Sequence, residues 1–216
     1  MTLPRKQLIC TESTPYYHVT SRCVRRAFIC GYDKYAQRSY EHRKPWVVDK
    51  AKQLAGIFTI DICAYAIMSN HYHLVLHVNI PENKLLTDIE VISRWQQLFS
   101  LPLLIEDWLA DRRQDSAQLA TVADIIQVWR RRLSDISWFM RCLNEDISRR
   151  ANKEDKCKGH FWEARFKSQA LLDEKALLTC MAYVDLNPIR AGMCDSVEDQ
   201  AFTSIVERIK QWKQQN

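Results

Sequence analysis

Three histidines alternate within one short stretch, MSNHYHLVLHV (68–78), which contains His71, His73 and His77. Alternate residues of a β-strand project from the same face, so these imidazoles share one face with Val75. The residues between them are aromatic or aliphatic and suit a core face. An HxH pair can bind a divalent metal ion. It also occurs by chance on polar surfaces, so the pattern alone leaves a metal site and ordinary polar surface as alternatives.

A second candidate group lies in the stretch CMAYVDLNPIRAG (180–192). If this stretch is helical, Tyr183 and Asn187 are four residues apart and therefore neighbours. Tyr183 lies roughly 100–130° from the apolar stripe, at the boundary of the buried face, where it can reach the sheet surface. Asn187 can offer a carbonyl oxygen to a metal ion. In the alternative interpretation, Tyr183 packs its ring and Asn187 ends the helix before Pro188.

The elements that must position these residues follow from hydrophobic periodicity. The pattern predicts strands over 16–23, 58–68, 71–78 and 159–172. It predicts helices over much of 33–58, around 84–98 and 120–133, after an N-cap at Ser134, from Asp173 to near Pro188, and over about 199–214. This order predicts an α+β fold in which a ferredoxin-like split βαβ antiparallel sheet carries helices on one face. We expect a single domain over 1–216, with a mainly helical insertion at about 81–133 and a C-terminal helical extension at about 195–216.

Composition excludes several classes of protein. The chain has 216 residues, 47% of them hydrophobic, which favours a folded core over disorder. No apolar run approaches the roughly 20 residues of a membrane span, and MTLPRKQLIC has no secretory h-region. We therefore expect a soluble cytoplasmic protein. The eight cysteines include no CxxC pair and are expected to be reduced thiols. A net charge of +5 permits nucleic-acid binding without establishing it.

Four blocks of sequence resemble a known family when they are taken in order. They are PYYHVTSRCVRR (15–26), AYAIMSNHYHLVLHV (64–78), GHFWEARFKSQALL (159–172) and YVDLNPIRAGM (183–193). Together they resemble the REP-associated tyrosine transposases, which belong to the HUH single-tyrosine transposases and are related to the insertion sequence 200-like transposases. That family has a ferredoxin-like fold. Cys23 and Val24 depart from the Gly-Asn pair that relatives often have after the first strand.

The resemblance implies a role for each candidate residue. His71 and His73 match the two histidines of the HUH motif, Tyr183 matches the nucleophile, and Asn187 matches the third metal-ligand position. The implied reaction cleaves and rejoins single-stranded DNA near REP-like palindromic hairpins through a 5′-phosphotyrosine. Mg²⁺ or Mn²⁺ suits this chemistry because it neutralises charge on the phosphate oxygens. The roles of His18 and His77 stay open, although a neighbour is favoured over a fourth ligand for His77.

Several cations lie near these blocks and are candidates for DNA binding. They are Arg22, Arg25, Arg26, Arg165, Lys167 and Arg190. Such cations with nearby aromatic residues suit a surface that follows phosphates and stacks unpaired bases. In the alternative interpretation, each of these side chains is a solvated surface charge that does not bind DNA. We expect single-stranded or hairpin DNA as the partner, no obligatory protein partner, and a monomer rather than a dimer. A non-catalytic DNA-binding regulator and a metal phosphoesterase that uses activated water are the alternative functions.

Overall fold

The centre of the fold is a four-stranded antiparallel sheet. The computed structural model describes residues 8–24, 27–197 and 202–215. Its strands are β1 (Tyr16–Arg22), β2 (Tyr32–Asp33), β3 (Arg38–Ser39), β4 (Ile60–Ile67), β5 (His71–Val78) and β6 (Lys167–Ala170). The large sheet has the order β4–β5–β1–β6, and β2 pairs only with β3. Counted along the chain, the sheet order is second, third, first, fourth, which is the ferredoxin-like arrangement and confirms the predicted fold class.

Helices surround this sheet. They are α1 (Lys44–Ile57), α2 (Ile80–Leu85), α3 (Asp88–Trp95), α4 (Leu103–Leu109), α5 (Ser116–Leu133), α6 (Ile136–Glu154), α7 (Glu174–Arg190) and α8 (Ser204–Gln215). Helices α2 to α5 lie within the segment predicted to be a helical insertion. The division into a domain, an insertion and an extension stays a prediction. None of the described helices is long and apolar enough to cross a bilayer.

The main core lies between one face of the sheet and helices α1 and α6. The buried residues of β1 and β5 on this face include Tyr17, Val19, Tyr72 and Leu74. They pack with apolar residues of both helices, and Phe58 meets Phe139 edge-on at 5.5 Å between ring centroids. Alternation along the two strands therefore directs every second side chain into this core, as predicted.

The opposite face is also covered, because α7 packs on it. Val184 of α7 is buried against Ala64, Ala66 and Val75, with Leu171 nearby. The prediction that helices lie on one face only is therefore wrong. The apolar residues on this second face are few and small, so the strand sequences gave little indication of a second buried layer.

Tertiary contacts shift several predicted boundaries. Residues 32–39 form the β2–β3 hairpin instead of helix. Arg38 of β3 pairs with Glu154 of α6, and so does the nearby Arg43, which is only 2% exposed. The predicted strand over 159–172 is reduced to β6. The N-cap of α6 is Asp135 rather than Ser134, because the Asp135 carboxylate accepts the Ser137 N–H.

Helix α7 ends at Arg190, two residues after Pro188, which agrees with the end predicted near Pro188. A proline removes one hydrogen bond from a helix. Here that loss falls in the last turn, where Ala191 N–H donates to Asn187 O at 3.0 Å and Met193 N–H donates to Pro188 O at 2.9 Å. Gly192 follows with a φ of +64°, the left-handed conformation that glycine adopts readily after a helix.

Candidate active site

The strand register brings polar residues from three strands into adjacent rows. Thr20 of β1 lies opposite His73 of β5 and Lys167 of β6, and Arg22 lies opposite His71. Residues opposite each other in an antiparallel pair share a face, so these side chains all project from the face that α7 covers in part. The alternation of histidines predicted this face correctly.

His73 is buried, with only 6% of the residue exposed. Its Nδ1 lies 2.8 Å from His18 Nε2 and 3.2 Å from Thr20 Oγ1. Its Nε2 is also buried and has no hydrogen-bond partner among the described residues. The histidine face of the sheet is therefore closed to solvent at His73.

His71 is half-buried and has a different partner. Its Nδ1 lies 2.8 Å from the Oδ1 atom of Asn70. Because an amide oxygen only accepts hydrogen bonds, Nδ1 carries the proton and Nε2 retains its lone pair. Metal-binding histidines commonly have such a partner on the second ring nitrogen. Sequence analysis assigned Asn70 no role, although its position directly before the HxH pair was a usable signal.

Burial keeps the imidazoles of the site neutral. It lowers the pKa of His73 to about 3, with further lowering by His18 and His71. Burial also lowers the pKa of His71, where the Arg22 charge contributes, and it lowers the pKa of His18. A neutral imidazole is the form that binds metal ions, so no proton has to leave these rings near pH 7.

Tyr183 of α7 stands beside these histidines. Its ring meets His73 edge-on with 5.8 Å between ring centroids, and it meets His18 in the same way at 6.3 Å. The residue is 42% exposed. Its neighbour Val184 is fully buried against the sheet, which places Tyr183 at the boundary of the packed face, as the helical periodicity predicted.

A cavity of about 310 Å³ joins the tyrosine to the histidines. Its lining residues are Thr20, Arg22, His71, His73, Glu163, Ala164, Arg165, Lys167 and Tyr183. Three of these side chains are cations and one is a carboxylate, so the cavity suits an anionic ligand. The Arg22–Glu163 ion pair in this cavity is long, with 3.9 Å between Arg22 Nε and Glu163 Oε2, and both side chains are largely exposed.

The predicted DNA-binding residues differ in where the structure places them. Arg22, Arg165 and Lys167 line this cavity, and the Arg190 guanidinium carbon lies 5.8 Å from the centroid of the Tyr183 ring. Arg25 and Arg26 lie outside the described residues. Whether any of these side chains binds DNA stays a prediction.

Two further predicted positions lie apart from the cavity. Asn187 is half-buried one turn after Tyr183 and does not line the cavity, so its assignment as third metal ligand stays a prediction. His77 lies farther along β5, where its Nδ1 is 2.9 Å from Asp61 Oδ2 and its ring stacks on Tyr16. The assignment of His77 as a neighbour of the site rather than a fourth ligand stays a prediction.

Two imidazole nitrogens of the site are available as ligands for a divalent cation. In the part of the chain that the structure describes, no group of three or more His, Cys, Asp or Glu side chains is arranged to hold a metal ion. The available ligand atoms are His71 Nε2, which has a free lone pair, and His73 Nε2, which is buried and has no hydrogen-bond partner among the described residues. A cation on these two nitrogens would satisfy a buried polar atom that otherwise lacks a partner.

The fold and site together define a ferredoxin-like α+β protein with a tyrosine-bearing helix beside an HxH strand. No protein-family model matches the sequence, and no curated protein sequence matches it. The structure is similar to that of a REP-associated tyrosine transposase bound to a REP hairpin, with a TM-score of 0.53 and 14% sequence identity. The similarity covers 97% of this chain and 86% of the other. At this identity it establishes the fold, and it confirms the resemblance in fold that the sequence predicted.

Proposed function

We propose that the protein is a metal-dependent single-tyrosine transposase that cleaves and rejoins single-stranded DNA near palindromic, REP-like hairpins. The observation that carries this proposal is the shared cavity, in which Tyr183, His71 and His73 meet three cations. The structurally similar transposase is bound to a REP hairpin, which supports hairpin DNA as the substrate class.

Binding of the DNA strand is assigned to the cations of the cavity. Arg22, Arg165 and Lys167 attract the phosphates, and Arg190 lies beside the tyrosine that must meet the scissile phosphate. Contacts of this kind depend on salt because they release counterions from the nucleic acid. The three cations outnumber the single carboxylate, Glu163, so the local charge is positive. The contact between Arg22 and Glu163 is long, at 3.9 Å, so it leaves the Arg22 charge available to a phosphate.

The metal site is assigned to His71 and His73, with Asn187 as the expected third ligand. When bound, Mg²⁺ or Mn²⁺ neutralises negative charge that develops on the phosphate oxygens. Mn²⁺ is expected to bind more tightly than Mg²⁺ because two of the ligands are imidazoles. Asn70 holds the His71 ring with its Nδ1 proton directed away from this site.

Tyr183 is assigned as the nucleophile. Its Oη–phosphorus bond forms as the bond between phosphorus and the 3′ oxygen breaks, the phenolic proton is lost, and the 3′ oxygen takes up a proton. The products are a 5′-phosphotyrosine and a free 3′-OH. Attack by a 3′-OH on the phosphotyrosine reverses the step and rejoins strands, so no external energy source is required.

A labelled oligonucleotide with a hairpin and a single-stranded flank tests the proposal. With Mn²⁺, we expect DNA labelled at its 3′ end to give a protein adduct that survives a denaturing gel. DNA labelled at its 5′ end should give a free shortened strand. Tyr183→Phe should abolish both products but retain hairpin binding, and its stability should change by less than about 0.5 kcal/mol because the half-exposed ring is kept.

The other outcomes separate the alternative functions. Cleavage without an adduct would show that water is the nucleophile, as in a metal phosphoesterase. Hairpin binding by the wild-type protein without cleavage or adduct would indicate a non-catalytic DNA-binding regulator. An adduct that persists in Tyr183→Phe would place the nucleophile at another residue.

A further inference from the structure

His18 lies next to the candidate site without lining its cavity. It is on β1, opposite Val75 of β5 and Gln169 of β6, and it shares the face of the sheet that carries the other imidazoles. It is half-buried, and its ring stacks on His73 with 5.1 Å between centroids and 14° between planes. The proposed reaction gives this residue no role.

The hydrogen bond between the two rings couples the tautomer of His73 to that of His18. His18 Nε2 and His73 Nδ1 are 2.8 Å apart, so one of them must carry the shared proton. If His18 donated, the His73 proton would lie on the buried Nε2, where no acceptor is present among the described residues. If His73 donates from Nδ1, its Nε2 retains a lone pair.

Thr20 is compatible with the second arrangement. Its hydroxyl oxygen lies 3.2 Å from the same Nδ1 atom and can accept the same N–H as a weaker second branch. Together, His18 Nε2 and Thr20 Oγ1 restrict the orientation of the His73 ring at its Nδ1 atom. Partners of this kind commonly set the tautomer and orientation of a metal-binding histidine.

We propose that His18 is a positioning residue for His73: it accepts the His73 Nδ1–H and thereby presents the His73 Nε2 lone pair to a divalent cation. This inference rests on the proposed function, because it assumes that His73 binds the cation. It assigns His18 no contact with DNA. It also explains why a polar imidazole occupies a half-buried strand position that lies outside the cavity.

Two substitutions separate positioning from simple packing. His18→Gln keeps a side-chain acceptor near the position of Nε2, whereas His18→Leu fills similar space and cannot accept a hydrogen bond. His77→Gln is the matched control, because His77 is an imidazole on the same face with its own partner, Asp61, outside the cavity. Thermal unfolding of each variant checks that it is folded.

Calorimetric titration with Mn²⁺ in the absence of DNA is the first readout. We expect His18→Leu to weaken Mn²⁺ binding by about 10- to 100-fold, the usual effect of losing a partner behind a metal ligand. We expect His18→Gln to restore most of the affinity and His77→Gln to leave it unchanged. Equal Mn²⁺ affinity in wild type and His18→Leu would overturn the inference while leaving the metal site intact.

The nitrogen-15 NMR spectrum of the wild-type imidazoles is the second readout, and it needs no substitution. We expect His73 to be protonated at Nδ1 in the metal-free protein. Protonation at Nε2 would overturn the inference even if the variants fail to fold. If wild-type protein binds no Mn²⁺ in the titration, the proposed metal-dependent function fails as well, which distinguishes that result from a failure of the His18 assignment alone.

Discussion

The His73 side chain is buried, and only one of its two ring nitrogens has a hydrogen-bond partner among the described residues. Burial and the neighbouring imidazoles disfavour its protonation. His71, in contrast, is half-buried and is held by Asn70. We therefore expect substitution of His73 to affect both stability and metal binding, whereas substitution of His71 affects mainly metal binding.

The stability of the metal-free protein is expected to fall as the pH falls from 7 to 5, in part because of His73. An unfolded histidine takes up a proton near pH 6.5, whereas the pKa of folded His73 is about 3. Between these values the unfolded state binds more protons, so acid favours unfolding by up to about 1.4 kcal/mol per pH unit. Denaturant unfolding with a chelator present measures this loss.

The control is His73→Gln, which keeps a polar side chain but removes the titrating group. We expect its free energy of unfolding to depend less on pH than that of the wild type, by about 1–2 kcal/mol between pH 7 and pH 5. An identical pH dependence in the two proteins would show that His73 is not held neutral by burial.

At the scale of elements, the position of Tyr183 depends on how closely α7 approaches the sheet. The residues of β4 beneath this helix are Ala64 and Ala66, both fully buried, and they pack with Val184. Their small side chains allow the helix backbone to lie near the sheet surface. The ring centroids of Tyr183 and His73 are consequently 5.8 Å apart. The alanines thus set how close Tyr183, the proposed nucleophile, lies to the histidines.

Ala66→Leu is expected to push α7 away from the sheet. Adding three carbons to a packed site typically costs about 1–3 kcal/mol of stability. Adduct formation with DNA should fall further than stability alone explains, because Tyr183 moves relative to the histidines. Ala123→Leu, on the exposed side of α5, is the control and should change stability by no more than about 0.5 kcal/mol. Full adduct yield and unchanged unfolding in Ala66→Leu would contradict this account.

The sequence predicted the local patterns of these elements better than their contacts. Alternation placed His71 and His73 on one face, and helical spacing placed Tyr183 at the edge of a buried stripe. The contact between His18 and His73 was not predictable, since it depends on the register that sets Thr20 opposite His73. The reduction of the 159–172 strand likewise depends on distant contacts, such as the bond from Trp162 Nε1–H to Asn144 O.

At the scale of the whole molecule, one chain contributes both the histidine strand and the tyrosine helix. Helix α7 is joined to α8 by Asp185, which accepts a hydrogen bond from Ser204 Oγ at 2.9 Å and pairs with Arg208. Asp185 is buried, so these contacts fix the position of α7 relative to α8. Only three residues separate the end of β6 at Ala170 from the start of α7 at Glu174, and this short link favours a site formed within a single chain.

We therefore predict that the protein acts as a monomer. A mixture of His71→Ala and Tyr183→Phe proteins should form no DNA adduct, because each chain lacks one part of its own site. Wild-type protein at half the total concentration serves as the control for activity in the mixture. Recovery of adduct in the mixed sample would show that the tyrosine and the histidines are shared between chains, and sedimentation would then reveal a dimer.

The central claim is that the Tyr183 hydroxyl becomes covalently attached to the 5′ end of a cleaved DNA strand. Mass spectrometry tests it most directly, after the wild-type adduct is formed with Mn²⁺ and digested with nuclease and trypsin. The tryptic peptide 176–190 contains Tyr183 and no other tyrosine. We predict that this peptide carries a nucleotide through a phosphate on Tyr183. A nucleotide found on any other peptide, or complete cleavage of the DNA with every tyrosine unmodified, would contradict the account.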